Sequence, residues 1–465
     1  MQALIAPLKE LAEYDEIRKI VRQGKGTVAL SGCVDSQKLH MIYGLSDGLK
    51  YKVIVTYSDL KAKEIYEEYR FYDRNVMLYP AKDLIFFQAD IHGNQLVQER
   101  IKTLRRVVEG KPVTIVTTYA ALMTPQVLWE EKDIIRTERG GSLDESKLAS
   151  RLVAMGYEKA YQVESPGQFS VRGGIVDIYA PDMQKPHRLE FWGDEVDSIH
   201  SFDLVSQRRE GAVKKIYLSP AREVLFGDTE AAARLLRTAL SKAKPAYAEA
   251  LADAMDGDLK ALDAGTMPAA MDKYLALRYE KPATIFEYFD APIVFLNEPS
   301  AVREAAKGVE FRFGEAFKGL LEEGVLAPGL DRFYEDTAYL LHETEKRHAV
   351  VCENFARTIP DLKLADTVNA QTHSLPPWGG EVSALADDLR PLTAQKYAVA
   401  VLAGTQRAAA ALALDLAAAG FSAQAYHKEP PSLAPGSVGV FEGHLNAGAD
   451  YPFAKFAVFT SRRHN

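Results

Sequence analysis

Between residues 27 and 119 one pattern repeats: a short apolar run, then a segment with helical spacing. The runs are Thr27–Ser31, Tyr51–Tyr57 (YKVIVTY), Asn75–Pro80 (NVMLYP) and Val113–Tyr119 (VTIVTTY). The segments between them are Ser36–Leu45, Leu60–Phe71 and Leu96–Val108. Strands that lack polar alternation are buried on both faces, which happens when helices cover both sides of a parallel sheet. The pattern therefore predicts an α/β domain. Phe286–Pro299 (FEYFDAPIVFLNEP) returns to the same texture, so the sheet is expected to resume late in the chain.

The stretch between is different. RTERGGSLDESK is polar and reads as a boundary loop. A short helix over Leu148–Met155 stops at Gly156. QFSVRGGIVDIYA, HRLEFWGDEVDSIHSFD and KKIYLSPAREV then read as strands with turns, Gly193-Asp194 being a hairpin signal. Residues 132–224 are expected to be an inserted α+β domain with an antiparallel sheet. It would interrupt an α/β domain made of residues 1–131 and 225–345, in which Glu230–Met271 is helical. Residues 346–371 read as a linker. Residues 372–465 read as a small α/β unit: a loop (HSLPPWGG), a helix (Glu381–Leu389), a strand (YAVAVLAG), a helix closed by Gly420 and a last strand over Phe453–Ser461.

Several function classes are disfavoured. A length of 465 residues suggests a few domains. A net charge of −8 argues against a chain that mainly grips DNA phosphates, though a local basic patch stays open. Two distant cysteines, Cys33 and Cys352, cannot make a disulfide framework or a Cys-rich zinc site, and read as free thiols in a reducing cytosol. The opening MQALIAPLKELAEYDEIRK reads as an amphipathic helix rather than a signal peptide. No apolar run reaches the ~20 residues of a membrane span, so a cytoplasmic protein is expected. His40, His92, His187 and His200 lack metal-ligand spacing. Neither a metal nor a cofactor is expected. Arg105-Arg106 and Arg208-Arg209 read as solvated faces, and Arg172-Gly173-Gly174 as a bulge or close backbone packing.

Two fragments bear on nucleotide chemistry. Gly32 and Lys38 match the first glycine and the lysine of the phosphate-loop pattern G-x-x-x-x-G-K-[ST]. Gln37 replaces the second glycine and Leu39 the metal-binding hydroxyl. Lys38, taken alone, reads as a solvated helix lysine. The partner strand of such a motor ends in Asp-Glu, the Asp holding magnesium and the Glu orienting water. In IVFLNEPS, Asn297 takes the Asp position and Glu298 is kept. Both magnesium contacts are gone, in the right order along the chain. Gly32, Gln37, Lys38, Leu39, Asn297 and Glu298 thus read as a vestigial nucleotide site without catalytic residues.

LYPAKDLIFFQADIHGNQLVQERIKTL, VTIVTTYAALMTP, GYEKAYQVESPGQFSVRGGIVDIYAP, HRLEFWGDEVDSIHSFD, HSLPPWGGEV and ADYPFAKFAVFTS carry a resemblance. With them the chain resembles the N-terminal region of the bacterial transcription-repair coupling factors (Mfd), itself similar to the damage-recognition protein UvrB. The resemblance implies a degenerate RecA-like, P-loop (UvrB-like) parallel-sheet domain, an inserted UvrA-binding α+β domain and a small C-terminal α/β domain. It also implies a longer parent, an ATP-dependent DNA translocase. The parent's RNA polymerase-binding domain and motor would follow SRRHN, and it would reach polymerase and DNA through them. Weak or no DNA binding is expected of these residues. In the family a C-terminal domain covers the UvrA face, so here that face is expected to be open.

The residues offer a physical basis for UvrA binding. In HRLEFW, Leu189 and Phe191 belong inside, which turns Arg188 and Trp192 out. Phe169 and Val171 face in, which turns Arg172 out. Two arginines and a tryptophan have the composition of a binding hot spot, suited to a carboxylate-rich partner. The resemblance places the family's UvrA-contacting Arg, Arg and aromatic at Arg172, Arg188 and Trp192. The plain alternative is two solvated arginines, a Trp partly covered by Arg188, and a Glu190–Arg188 pair worth roughly 0–1 kcal/mol. The expected function is a non-catalytic adaptor that recruits UvrA to lesions stalling RNA polymerase. The alternative is a UvrB-like nucleotide-dependent DNA-binding protein.

Overall fold

The computed structural model describes residues 2–23, 26–33, 35–82, 95–324, 326, 330, 332–355 and 362–462. The whole DLIFFQADIHGN segment, His92 included, lies outside them.

Four strands open the chain: β1 (Thr27–Ser31), β2 (Tyr51–Thr56), β3 (Val76–Tyr79) and β4 (Val113–Thr118). Helices Asp35–Leu45, Asp59–Tyr69 and Gln95–Val108 alternate with them. The insertion follows, with β5 (Ile135–Glu138), helix Glu145–Ala154, β6 (Glu158–Lys159), β7 (Gln168–Arg172), β8 (Ile175–Ile178), β9 (His187–Trp192), β10 (Glu195–Phe202), β11 (Arg209–Ala212) and β12 (Lys215–Leu218). After two helices, Thr229–Ser241 and Ala248–Asp263, come β13 (Ile293–Asn297), β14 (His348–Glu353) and β15 (Leu364–Asn369). The last unit holds β16 (His373–Leu375), β17 (Ala398–Leu402), β18 (Ser422–Ala425), β19 (Ser437–Phe441), β20 (Gly448–Tyr451) and β21 (Phe456–Thr460).

The large sheet has seven strands in the order β15-β1-β14-β13-β2-β4-β3, and every neighbouring pair is parallel. Its central strands are buried throughout because both faces carry core. Val53, Val55, Ile115 and Leu296 belong to one side. Ile54, Val116, Phe295 and Val350 belong to the other, in a cluster that also contains Leu402, Tyr451 and Phe456 of the last unit. That shared core explains helix Asp35–Leu45, in which Ser36 to Ile42 are all buried. The sheet covers one side of it and the last unit the other.

In the insertion, β7 to β11 form antiparallel pairs and β6 joins β7 in parallel. Gly193-Asp194 makes the expected hairpin, with Trp192 opposite Glu195. Gly173-Gly174 is a second tight turn rather than a bulge, with Arg172 opposite Ile175. Gly174 also packs closely: a side chain there would lie 3.0 Å from the Phe191 carbonyl.

Several expectations need correction. The stretch 346–371 is not a linker: β14 lies between β1 and β13, and β15 forms the sheet edge. Its AVVC run is short but fully buried, which only a central strand allows. The opening segment is not one helix. Gln2–Ile5, a 3-10 turn at Leu8–Glu10 and Ala12–Gln23 are separate, because Pro7 removes a backbone donor and breaks the ladder. Part of the HSLPPWGG loop is β16, paired antiparallel with β20. The last strand begins at Phe456, after a 3-10 turn at Pro452–Ala454.

Candidate functional site

Of the residues matched to the nucleotide motifs, Lys38, Asn297 and Glu298 meet, while Gly32 and Gln37 contact the segment after β15. Helix Asp35–Leu45 follows β1 and presents Lys38 toward the end of β13. Lys38 Nζ donates to Asn297 Oδ1 and to Glu298 Oε1, both at 2.8 Å. Lys38 is therefore not the solvated lysine expected: it is 3% exposed. Asn297 Nδ2 donates in turn to Thr56 Oγ1 at 3.0 Å, and the Asn354 amide donates to Glu298 Oε1. Leu39 is buried. Gln37 Oε1 accepts from Thr372 Oγ1 at 2.7 Å. Gly32 has φ +86, and a β-carbon there would lie 2.6 Å from the Ala370 carbonyl. Close backbone approach to the residue after β15 is reason enough for that glycine.

The start of the same helix faces a carboxylate. Ser36 donates to Glu68, which also accepts from the Asn446 amide at 3.1 Å and from Asn446 Nδ2 at 2.9 Å. Burial pushes the Glu68 carboxyl up, against the lowering effect of Ser36 and Asn446. The cavity left beside Lys38 is about 250 Å³ and holds the carboxylates of Asp35, Glu64 and Glu68 against Lys38 and Lys61. Small-molecule sites typically run from roughly 300 to 1,000 Å³. Among the described residues no group of three or more His, Cys, Asp or Glu side chains is placed to hold a metal ion. None of the described helices is long and apolar enough to cross a membrane. Cys33 and Cys352 are free and buried, and burial pushes both thiols up to about 12.

The second site is the outer face of the insertion's sheet. Phe169 and Leu189 are buried and Phe191 half-buried, so alternation turns Arg172, Arg188 and Trp192 to the other side. Asp177 on β8 stands directly opposite Arg188 on the same face. Its carboxylate is 1% exposed and takes both arginines. Arg188 binds it in bidentate fashion, Nε to Oδ1 at 2.7 Å and Nη2 to Oδ2 at 3.0 Å. Arg172 Nη2 reaches Oδ2 at 3.2 Å.

The two arginines are not equivalent. The Arg188 side chain is 12% exposed and also stacks on Phe202 at 4.7 Å, whereas Arg172 is 47% exposed. One carboxylate between two guanidiniums leaves a net positive charge. Trp192 is 83% exposed at the hairpin end of β9, so it is not covered by Arg188. Glu190 does not pair with Arg188 either: it pairs with Arg209 and accepts from Ser198 Oγ at 3.0 Å. Arg209 is thus engaged rather than merely solvated. His187 is half-buried, and burial lowers its pKa.

A third group was missed in the sequence. Arg100 is fully buried in helix Gln95–Val108. Its Nη2 reaches Glu223 Oε2 at 3.2 Å, and its guanidinium lies 4.1 Å from the Tyr79 ring centroid. Lys82 joins Glu223 at 2.9 Å. Burial opposes the charged carboxylate, but Arg100 and Lys82 outweigh it and hold Glu223 at about 2. Further along the same helix, Arg105 pairs with the buried Asp182 of the insertion at 2.9 Å. This helix therefore fixes the insertion at Asp182 and at Glu223, where the chain leaves it. A signal existed: Arg100 lies on the helix stripe of Leu104 and Val107, where a solvated arginine would not sit.

Residues 135–224 match the family described as the UvrB interaction domain. The chain is 26% identical, over 97% of its length, to the transcription-repair-coupling factor of Bacillus subtilis (strain 168), and covers 39% of that protein. It is 24% identical, over 99% of its length, to the factors of Staphylococcus epidermidis (strain ATCC 12228 / FDA PCI 1200) and Staphylococcus aureus (strain Mu50 / ATCC 700699), covering 40% of each. The chain thus spans about two-fifths of the length of these curated relatives. Residues 135–224 are thus similar to the UvrB interaction domain, set in a chain that is similar over nearly its whole length to a region of the bacterial transcription-repair-coupling factors.

Proposed function

We propose that this chain is a non-catalytic adaptor of transcription-coupled excision repair, which docks UvrA on the outer face of its insertion. The carrying observation is the group Arg172–Asp177–Arg188 with Trp192 exposed beside it, inside the matched domain. A buried carboxylate that holds two guanidinium groups organises donors for a partner's carboxylates before contact, which lowers the ordering cost of binding. Trp192 supplies a large apolar anchor with few rotatable bonds. Polymerase and DNA contacts are assigned to parts of the relatives that this chain does not span.

The α/β sheet domain is read as a RecA-like fold whose nucleotide chemistry is lost. Lys38 is already committed to Glu298, Asn297 carries no charge for magnesium, and Glu68 sits where a phosphate would need the start of the helix. The residues do not fit ATP.

UvrA titration tests the adaptor reading, with Trp192→Ala and Arg172→Ala as variants. Each is expected to weaken binding by about tenfold or more. Affinity unchanged in both variants would sink it. These two are cleaner probes than Arg188, whose removal also strips a buried carboxylate of its main partner. The rival reading, a nucleotide-dependent DNA-binding protein, requires a rise in melting temperature with ATP and magnesium.

A further inference from the structure

We propose that the docking face has a second, apolar lip made of Tyr161 and Val205. It takes an apolar side chain of UvrA next to the carboxylates that meet Arg172 and Arg188. This rests on the UvrA reading above and adds to it the far end of the contact.

Val205 at 92%, Tyr161 at 90% and Trp192 at 83% are the three most exposed large apolar side chains among the described residues. All three belong to the insertion. Single exposed apolar residues are ordinary, but here the three most exposed lie within the one matched unit.

The loop that carries Val205 is tied in place. The Asp203 amide donates to the Arg208 carbonyl at 2.9 Å, and the Gln207 amide to the Asp203 carbonyl at 2.8 Å. The Ser206 amide donates to Asp203 Oδ1 at 2.7 Å, and Gln207 Nε2 to the Leu204 carbonyl at 2.7 Å. Gln207 holds φ +60, a conformation that costs a non-glycine residue free energy. A turn held this way displays Val205 to solvent.

Gln207 also sets where the lip lies. Its carbonyl accepts from Arg188 Nη1 at 3.3 Å, and its Nε2 donates to the Val163 carbonyl at 3.4 Å, two residues from Tyr161. The segments that carry Tyr161 and Val205 therefore meet at the Arg188 end of the clamp. Trp192 lies four residues further along β9, roughly 13 Å away by strand rise. The face reads as an apolar pair, a cationic centre and an aromatic anchor in sequence. Apolar contacts at both ends would exclude water from the central ion pairs, where a lower dielectric strengthens them.

The test measures UvrA affinity of the full chain carrying Tyr161→Ala, Val205→Ser or both. Trp192→Ala and Leu414→Ser are measured alongside, the latter an exposed apolar residue outside the insertion. The double variant is expected to bind about tenfold more weakly with an unchanged unfolding midpoint, and Leu414→Ser to stay within about twofold. Double-variant binding within about twofold of wild type, with Trp192→Ala impaired, overturns the second lip and leaves the UvrA reading standing. Unchanged binding in all variants, or no binding by the wild type, overturns both.

Discussion

Lys38 and Glu298 are 260 residues apart in sequence and meet at 2.8 Å, with the Lys38 side chain 4% exposed. In a working phosphate loop such a lysine would reach a nucleotide; here an internal carboxylate takes it. Lys38→Ala should therefore destabilise the fold with no nucleotide present. The expected loss is about 2–4 kcal/mol, since Glu298 keeps partial solvent access. Thermal melts with and without ATP and magnesium check this. A ligand-dependent rise in the wild type that Lys38→Ala abolishes would mean the site still binds nucleotide.

Removing Arg188 and removing Arg172 should differ in stability. Arg188→Ala takes the bidentate partner from a carboxylate that is 1% exposed, and should cost about 2–3 kcal/mol. Arg172→Ala removes a half-exposed partner and should cost less than about 1 kcal/mol. Urea denaturation decides the order. Equal losses would mean that Asp177 does not favour Arg188 as the geometry implies.

Glu223 ties acid stability to the insertion's anchor. Its folded pKa, about 2, lies below the unfolded value of roughly 4.3. A depressed pKa gives stability that is complete above the unfolded value and is lost as pH falls toward the folded one. The fold should weaken between pH ~4.3 and ~2, and Glu223→Gln should flatten that window. An unchanged slope of melting temperature against pH in Glu223→Gln would remove Glu223 from the account.

His40 acts at higher pH. Its Nε2–H donates to the Leu4 carbonyl at 2.8 Å, and Tyr451 O–H donates to its Nδ1 at 2.6 Å, so it joins the opening segment to the last unit. Burial lowers its pKa to about 4, against an unfolded value near 6.5. Stability should be complete above pH ~6.5 and fall by at most about 3 kcal/mol as pH drops toward 4. His40→Gln should lose this slope while keeping that of Glu223. A wild type whose stability is flat from pH 6.5 to 4 would contradict a neutral His40 at this joint.

The strands of the large sheet were legible wherever an apolar run was long, as at β2 and β4. The AVVC run of β14 was too short to separate from a loop, and its place between β1 and β13 depends on contacts with distant segments. On the insertion, period-two alternation was enough to send Arg172, Arg188 and Trp192 to one face. It gave no hint that Asp177 gathers the two arginines, because cross-strand partners depend on register.

The sequence by itself determined where the chain is apolar and at what period, and that Leu39 and Asn297 stand where a phosphate-loop motor would carry its magnesium ligands. Those are local properties, set by side-chain chemistry and by the repeat of helix or strand. Only the tertiary structure decided the fate of the charges. Lys38, Arg100 and Asp177 would be costly to bury alone, and each is buried because a partner from another segment offsets its desolvation. Whether a charge lies in water or in the core is a property of the pair, and the pairs exist only once the chain is folded.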